Sequence, residues 1–276
     1  VEEACGVSLR EKSVLEAPAK LTLSLRVVGR RPDGVHLLEA EMASLVGLAD
    51  VLEFDDGEGL EVVWDAPHGE EAMPPPEDNI VLRTLSVLKR TAAIRLTKRI
   101  PVGAGLGGGS ADAAAVLRWA GIDPKEGRDR QVMELARSLG SDVPFCLVGG
   151  RAIVEGTGEK VTPKQAPPQL VALVSPPYVV STAAVYQAWD ELGGPHGEGP
   201  NDLEPAALLV EPRLAYWRDA LKDATGRPCV LAGSGSSWFA IIDDCQEKEL
   251  QGLEISSPLG KARILVVTAA GSSGKA

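Results

Sequence analysis

Five of the seven residues from Gly103 to Gly109 are glycine, in the stretch PVGAGLGGGSADAA, and an alanine-rich segment suited to a helix follows at once. Glycine lets the backbone curl and bring its N–H groups against a ligand with no Cβ in the way. A helix start adds unpaired amides and the positive end of the helix dipole at the same place. Together these meet the requirements for cradling phosphate groups. A surface turn accounts for one or two glycines, but not for this density directly ahead of a helix.

Several phosphate loops compete for the assignment. Gly103, Gly105 and Gly108 satisfy the dinucleotide spacing G-x-G-x-x-G, which keeps a nicotinamide- or flavin-dependent oxidoreductase open as the alternative. The preceding stretch IRLTKRI argues against it. A strand feeding a dinucleotide fold is buried on both faces and nearly all apolar, whereas this one is half polar and ends at Pro101. The P-loop ATPase pattern fails because Gly109 stands where the phosphate-reaching lysine is needed. The chain has no HRD or DFG tripeptide, which excludes protein kinases.

The elements that must position this loop are legible from periodicity. LTLSLRVV from Leu21 to Val28 alternates at period two, GRRPDG turns, and HLLEAEMASL extends again, which predicts an antiparallel pair. Val51–Phe54 and Leu60–Trp64 suggest two further strands about the turn Asp55, Asp56, Gly57, and Pro74–Pro76 a loop. Helices are expected over Asn79–Arg90 with Asp78 as N-cap, over Ser110–Trp119 with Asp112 in the first turn, and over Asp129–Leu139 with Gly140 as its stop. Ile94–Ile100 is a strand. Later come helices at Thr182–Leu192, Leu203–Val210, Leu214–Ala224 and Gln246–Leu253, apolar runs flanking Gly233 and Gly235, and a strand at Arg263–Val267. Strands and helices mix without regular βαβ spacing, so the fold class is α+β. Val1–Ser13 is expected to be a loose arm and GSSGKA a tail.

At 276 residues the chain suits two modest domains sharing a cleft. Hydrophobic residues make up 44 %, with no run long enough to cross a bilayer and no leader pattern, which implies a cytoplasmic protein without a membrane partner. The four cysteines, Cys5, Cys146, Cys229 and Cys245, are too scattered for a zinc or disulfide framework, and Cys146 and Cys229 read as buried small hydrophobes. The net charge of −11 disfavours nucleic acid as a partner and favours a small molecule. A phosphate-bearing ligand then needs local positive charge, and Lys98 and Arg99 stand directly before the loop.

The loop resembles that of the GHMP kinases, whose pattern P-x-x-x-G-L-G is met by Pro101, Gly105, Leu106 and Gly107. GAGLGGGSADAA is similar to one branch in particular, the kinases acting on diphosphocytidyl methylerythritol in the non-mevalonate isoprenoid pathway. APAKLTLSL, GRRPDGVH, LGSDVPFCLVGGRAIVEGTGE and LAGSGSSWFAI match the same branch in the same order, from Pro18 to Ile241. The resemblance implies a two-domain GHMP kinase fold. Its N-terminal domain would be ribosomal-protein-like, here residues 1–162, and its C-terminal domain ferredoxin-like, here 163–276. That likeness to ribosomal proteins leaves a non-enzymatic RNA-binding protein as a third reading, which the acidic balance disfavours.

The resemblance also implies roles. Asp142 would accept the acceptor hydroxyl's proton, with Lys20 keeping the carboxylate ionised. ATP, accompanied by Mg2+ with no dedicated protein cage, would lie on Gly103, Gly105, Leu106, Gly107, Gly108, Gly109 and Ser110, with Lys98 beside it and Asn79 at the adenine. By itself, Asp142 reads as a helix-start or turn aspartate, the commoner role for such a residue, and Lys20 as a solvated lysine ahead of a strand; Lys98 is equally a solvated lysine at a strand end. His36, Tyr186, Thr182, Gly233 and Gly235 would serve the cytidine substrate. Two positions depart from the branch: Thr22 stands where asparagine is usual, and Val35 where a tyrosine packs on the cytosine.

Overall fold

The structure is a computed structural model that describes residues 13–68, 70, 75, 78–122, 130–194 and 199–272. The expected arm (residues 1–12), most of the proline run, Asp129 and the last four tail residues lie outside them. Ser13 is no part of an arm, because it opens the first strand.

Strands β1 (Ser13–Arg30) and β2 (His36–Asp55) form the predicted antiparallel pair at greater length. Val51–Phe54 is the end of β2, not a separate strand. β3 (Gly59–Trp64) runs parallel to β4 (Ala93–Lys98), with α1 (Ile80–Leu88) crossing between them, so the early strands are not all antiparallel. Asn79, not Asp78, caps α1: its side chain accepts from the Val81 amide at 2.9 Å.

The glycine loop feeds α2 (Gly108–Trp119), which starts two residues earlier than expected and leaves Asp112 beyond the first turn. α2 is buried along most of its length; its alanines let it pack closely against β1 and α1, as a core helix must. α3 (Arg130–Leu139) and α4 (Val143–Val148) follow, then β5 (Arg151–Gly156), β6 (Lys160–Pro163) and β7 (Gln169–Val174). The remaining elements are α5 (Thr182–Glu191), α6 (Glu204–Val210), α7 (Leu214–Thr225), β8 (Val230–Leu231), β9 (Trp238–Ile241) and α8 (Glu247–Leu250). A hairpin, β10 (Glu254–Ser257) with β11 (Gly260–Arg263), precedes β12 (Leu265–Ala269), so Arg263 is not part of the last strand.

One sheet of ten strands carries β3-β4-β2-β12-β7-β9-β8 as its path, with β1 and β5 also paired to β2. The register of β1 on β2 breaks between Pro18, opposite Ala49, and Lys20, opposite Ser44. The loop-out in β2 is where Leu45 and Val46 pair instead with Ala269 and Thr268 of β12. This break seats β12 on β2, and it leaves the Lys20 amide to donate to the Leu106 carbonyl at 2.9 Å. One core lies under β2, β4 and α2 and another under β7, β9, α5 and α7. A third, including Leu21, Leu45, Leu106, Leu173 and Phe239, joins them beneath the glycine loop. Cys146 is buried as expected, and burial pushes its thiol up to about 12; Cys229 is only half-buried.

Candidate active site

A cleft of about 560 Å³ opens above that third core. Residues 103–110, Lys20, Asn79, Lys98, Asp142, Thr182, Tyr186 and Gly233 all line it; His36 and Gly235 do not.

The loop's conformation explains its glycines. Gly103, Gly105 and Gly107 have φ of 71°, 78° and 69°, the left-handed region that side chains disfavour. A Cβ on Gly105 would lie 2.3 Å from the Ala232 carbonyl oxygen and 2.7 Å from that of Gly235. On Gly107 it would strike the Lys20 side chain at 2.7 Å, and on Gly108 it would meet Lys98 Nζ at 3.2 Å. Several glycines therefore make room for the protein itself. Ser237 N–H donates to the Ala104 carbonyl at 3.1 Å, so the late glycine segment holds the loop from behind. Gly107 is the N-cap of α2 and offers no side chain, which leaves the first amides of a 12-residue helix facing the cleft.

Lys20 and Asp142 meet at the cleft floor, Nζ to Oδ2 3.2 Å, and Lys20 also donates to Thr22 Oγ1 at 3.1 Å. Thr22 thus supplies an oxygen partner to the lysine where the branch usually carries asparagine. The lysine is buried while the carboxylate stays partly exposed. Asp142 stands at the N-cap of α4 but makes no capping bond, so its carboxylate is not spent on the turn.

Lys98 is not solvated. Its Nζ lies between the Asp50 Oδ2 and Asp112 Oδ2 carboxylate oxygens, the latter at 2.7 Å, and all three side chains are at most 3 % exposed. Burial alone would lower its pKa, but Asp112 and Asp50 together hold it above the usual lysine value. Burial also pushes the Asp112 carboxyl up to about 7, against the pull of Lys98.

On the other wall, Tyr186 stacks on His36 with centroids 4.7 Å apart, and Trp189 meets His36 edge-on at 5.6 Å. Asp190 Oδ1 holds His36 Nε2 at 2.8 Å. Thr182 Oγ1 bonds Ser234 Oγ at 2.8 Å. Sequence reasoning missed Asp50, the pairing of Asp112, and Arg83, which lines the cleft from α1. An aspartate inside an alanine-rich helix was the available signal, because a buried carboxylate requires a cation.

Comparison with known proteins bears on this geometry. Residues 79–150 match the model of the GHMP kinases N terminal domain. A 4-diphosphocytidyl-2-C-methyl-D-erythritol kinase of Rhodopseudomonas palustris is 37 % identical over 264 residues, covering 83 % of this chain and 88 % of that one. The chain belongs to the 4-diphosphocytidyl-2-C-methyl-D-erythritol kinase family. A crystal structure of a 4-(cytidine 5'-diphospho)-2C-methyl-D-erythritol kinase superposes with TM-score 0.68 at 31 % identity, covering 94 % of this chain and all of that one. The L. major mevalonate kinase, at 14 % identity and TM-score 0.67 over 96 % of this chain and 98 % of its own, shares the fold. Membership of this kinase family closes the dinucleotide and RNA-binding alternatives for the glycine loop.

Proposed function

We propose that this chain transfers the γ-phosphoryl group of ATP to the 2-hydroxyl of 4-diphosphocytidyl-2-C-methyl-D-erythritol, a step of the non-mevalonate isoprenoid pathway, in the cytoplasm. One observation carries the reading: the Lys20–Asp142 pair and the uncapped start of α2 share one cleft. The hydroxyl oxygen attacks the γ-phosphorus, the bond to the β,γ-bridging oxygen breaks, ADP leaves, and the hydroxyl proton passes to Asp142. Lys20 pairs with that carboxylate and would steady the attacking oxygen. The amides at residues 108–110 hold the phosphates, so most of the catalysis is positioning and charge stabilisation.

Among the described residues, no group of three His, Cys, Asp or Glu side chains could hold a metal. Mg2+ would arrive with the nucleotide and offset triphosphate charge, and the Ser110 hydroxyl or an acidic neighbour in the cleft would be the protein group to touch it. Asn79 spends its side-chain oxygen on capping α1, so its amide nitrogen is the group left for adenine. Tyr186 would face the cytosine. His36 stacks on Tyr186 outside the cleft lining, with Nε2 held by Asp190, so its part in base recognition would be to hold the Tyr186 ring. Gly233 borders the cleft, and Gly235 acts through its carbonyl contact with the loop. The division into residues 1–162 and 163–276 belongs to the same proposal, with the cleft between the two parts. A coupled assay of ADP release over a panel of acceptors tests it: turnover should require the cytidylyl sugar alcohol, and equal turnover with an acceptor lacking a nucleobase would refute the substrate.

A further inference from the structure

The Lys98 cluster ties three elements together. Asp50, near the break in β2, uses both its oxygens. Oδ1 accepts from the amides of Arg99 at 2.6 Å and Ile100 at 2.8 Å, and Oδ2 accepts from Lys98 Nζ. Lys98 ends β4, and Asp112 reaches it from within α2. The glycine loop starts at Pro101, directly after the backbone that Asp50 grips, and ends at α2, which Asp112 tethers. Both ends of the loop are therefore anchored on one ammonium group, and that group lies under Gly108, the first residue of α2.

Stability is a poor explanation for this arrangement. Well-packed apolar side chains in place of a buried ion cluster commonly stabilise a fold as much or more, because removing charges from water is costly. The cluster also holds two carboxylates to one ammonium, and Asp112 Oδ1 has no hydrogen-bond partner. What the charges provide, and apolar packing does not, is a fixed set of directions at the two ends of a loop made flexible by its glycines.

We propose that Asp50 and Asp112 are positioning residues for the nucleotide, acting through Lys98 to fix both ends of the glycine loop so that the first amides of α2 converge on the triphosphate. This rests on the kinase reading above. Neither aspartate need touch ATP.

The test compares wild type with Asp112→Ala, Asp112→Asn and Asp50→Asn in the full chain, by calorimetric titration with ATP and by steady-state kinetics in both substrates. Displacing a binding group by about 1 Å can cost on the order of a hundredfold. Asp112→Ala should therefore raise Kd and KM for ATP by about tenfold to a hundredfold and leave KM for the acceptor unchanged. Asp112→Asn keeps an oxygen beside Lys98 and should recover most of that loss. Asp50→Asn, which can still accept from the Arg99 and Ile100 amides, should fall between the two. A purely structural cluster would instead lower the melting temperature and active fraction with both KM values unmoved, and that result overturns the proposal. Unchanged ATP affinity in Asp50→Asn overturns it too, even if Asp112→Ala fails to fold. A wild-type chain that binds no ATP would overturn the nucleotide reading itself, a distinct outcome.

Discussion

Asp142 occupies the N-cap of α4 yet gives that helix no side-chain hydrogen bond; its Oδ2 lies 3.2 Å from Lys20 Nζ instead. An aspartate that caps a helix contributes about 1 kcal/mol through that bond. Asp142 has no such bond to lose, so any stability cost of Asp142→Asn comes from its lost charge beside the buried Lys20 and not from the helix start. Turnover should nevertheless fall by orders of magnitude, each factor of ten being about 1.4 kcal/mol of barrier, with ATP affinity little altered. Turnover within a few-fold of wild type would return Asp142 to the role of a turn residue.

Two glycines of the same loop should respond in opposite ways. Gly105→Ala places a Cβ against the carbonyls of Ala232 and Gly235 at positive φ, so the loop and the late glycine segment must separate. Both stability and ATP affinity should drop. At Gly109, inside the first turn of α2, a Cβ meets only Ile80 at an ordinary 3.6 Å. Gly109→Ala should raise stability by up to about 1 kcal/mol through helix propensity while crowding the phosphates. Thermal melts with and without ATP separate the two effects. Gly107→Val combines them differently, because its side chain would strike Lys20 before any ligand.

The loop and its helix were legible because glycine density and alanine content are local signals. The fold class was legible for the same reason. The long β1–β2 pair was seen only in part, and its break at Lys20 was invisible, because a register shift depends on the partner strand and on β12 arriving from the far end of the chain. β7 was missed although four of its six residues are buried: a short apolar run carries no period. Lys98 shows the limit for the site. Beside Arg99 it reads as a surface lysine, and only Asp50 and Asp112, brought in by β2 and α2, place it in the interior.

Base recognition should depend on Tyr186 more than on Val35. Val35 is 38 % exposed in the turn before β2 and does not line the cleft, whereas Tyr186 does. Stacking on an aromatic ring contributes about 1–3 kcal/mol and tolerates any base, while hydrogen bonds to the base edge discriminate. Tyr186→Ala should therefore lower kcat/KM for the cytidine substrate and for its uridine analogue alike, leaving their ratio nearly fixed. Val35→Tyr should raise both. A change in the ratio as large as the change in rate would show that Tyr186 selects the base rather than supporting it.

Arg83 lines the cleft from α1, donates to the Leu139 carbonyl, and has no carboxylate partner among the described residues. Lys20 and Lys98 are both paired with acids, which leaves the guanidinium as a cation available to the nucleotide. Arg83→Ala should weaken ATP binding and flatten its dependence on ionic strength, as calorimetry at two salt concentrations would show. Equal salt dependence in variant and wild type would remove Arg83 from the nucleotide site.

Asp112 gives the fold a pH dependence of defined sign. Burial raises its carboxyl to about 7 in the folded chain from a value of 3.8, although Lys98 opposes the shift. Between those values the folded state holds more protons than the unfolded state. Stability from this group is therefore greatest in acid, declines as pH rises from about 4 to about 7, and is level above that. Lys98 does not add a step in this window, because Asp112 and Asp50 hold its pKa above the ordinary lysine range. Asp112→Asn removes the titrating proton and keeps the shape of the side chain. The difference in unfolding free energy between variant and wild type, from urea titrations across the window, should move steadily in favour of the variant as pH rises. A difference that stays constant would mean that Asp112 titrates alike in both states, and that Lys98 fully offsets its burial.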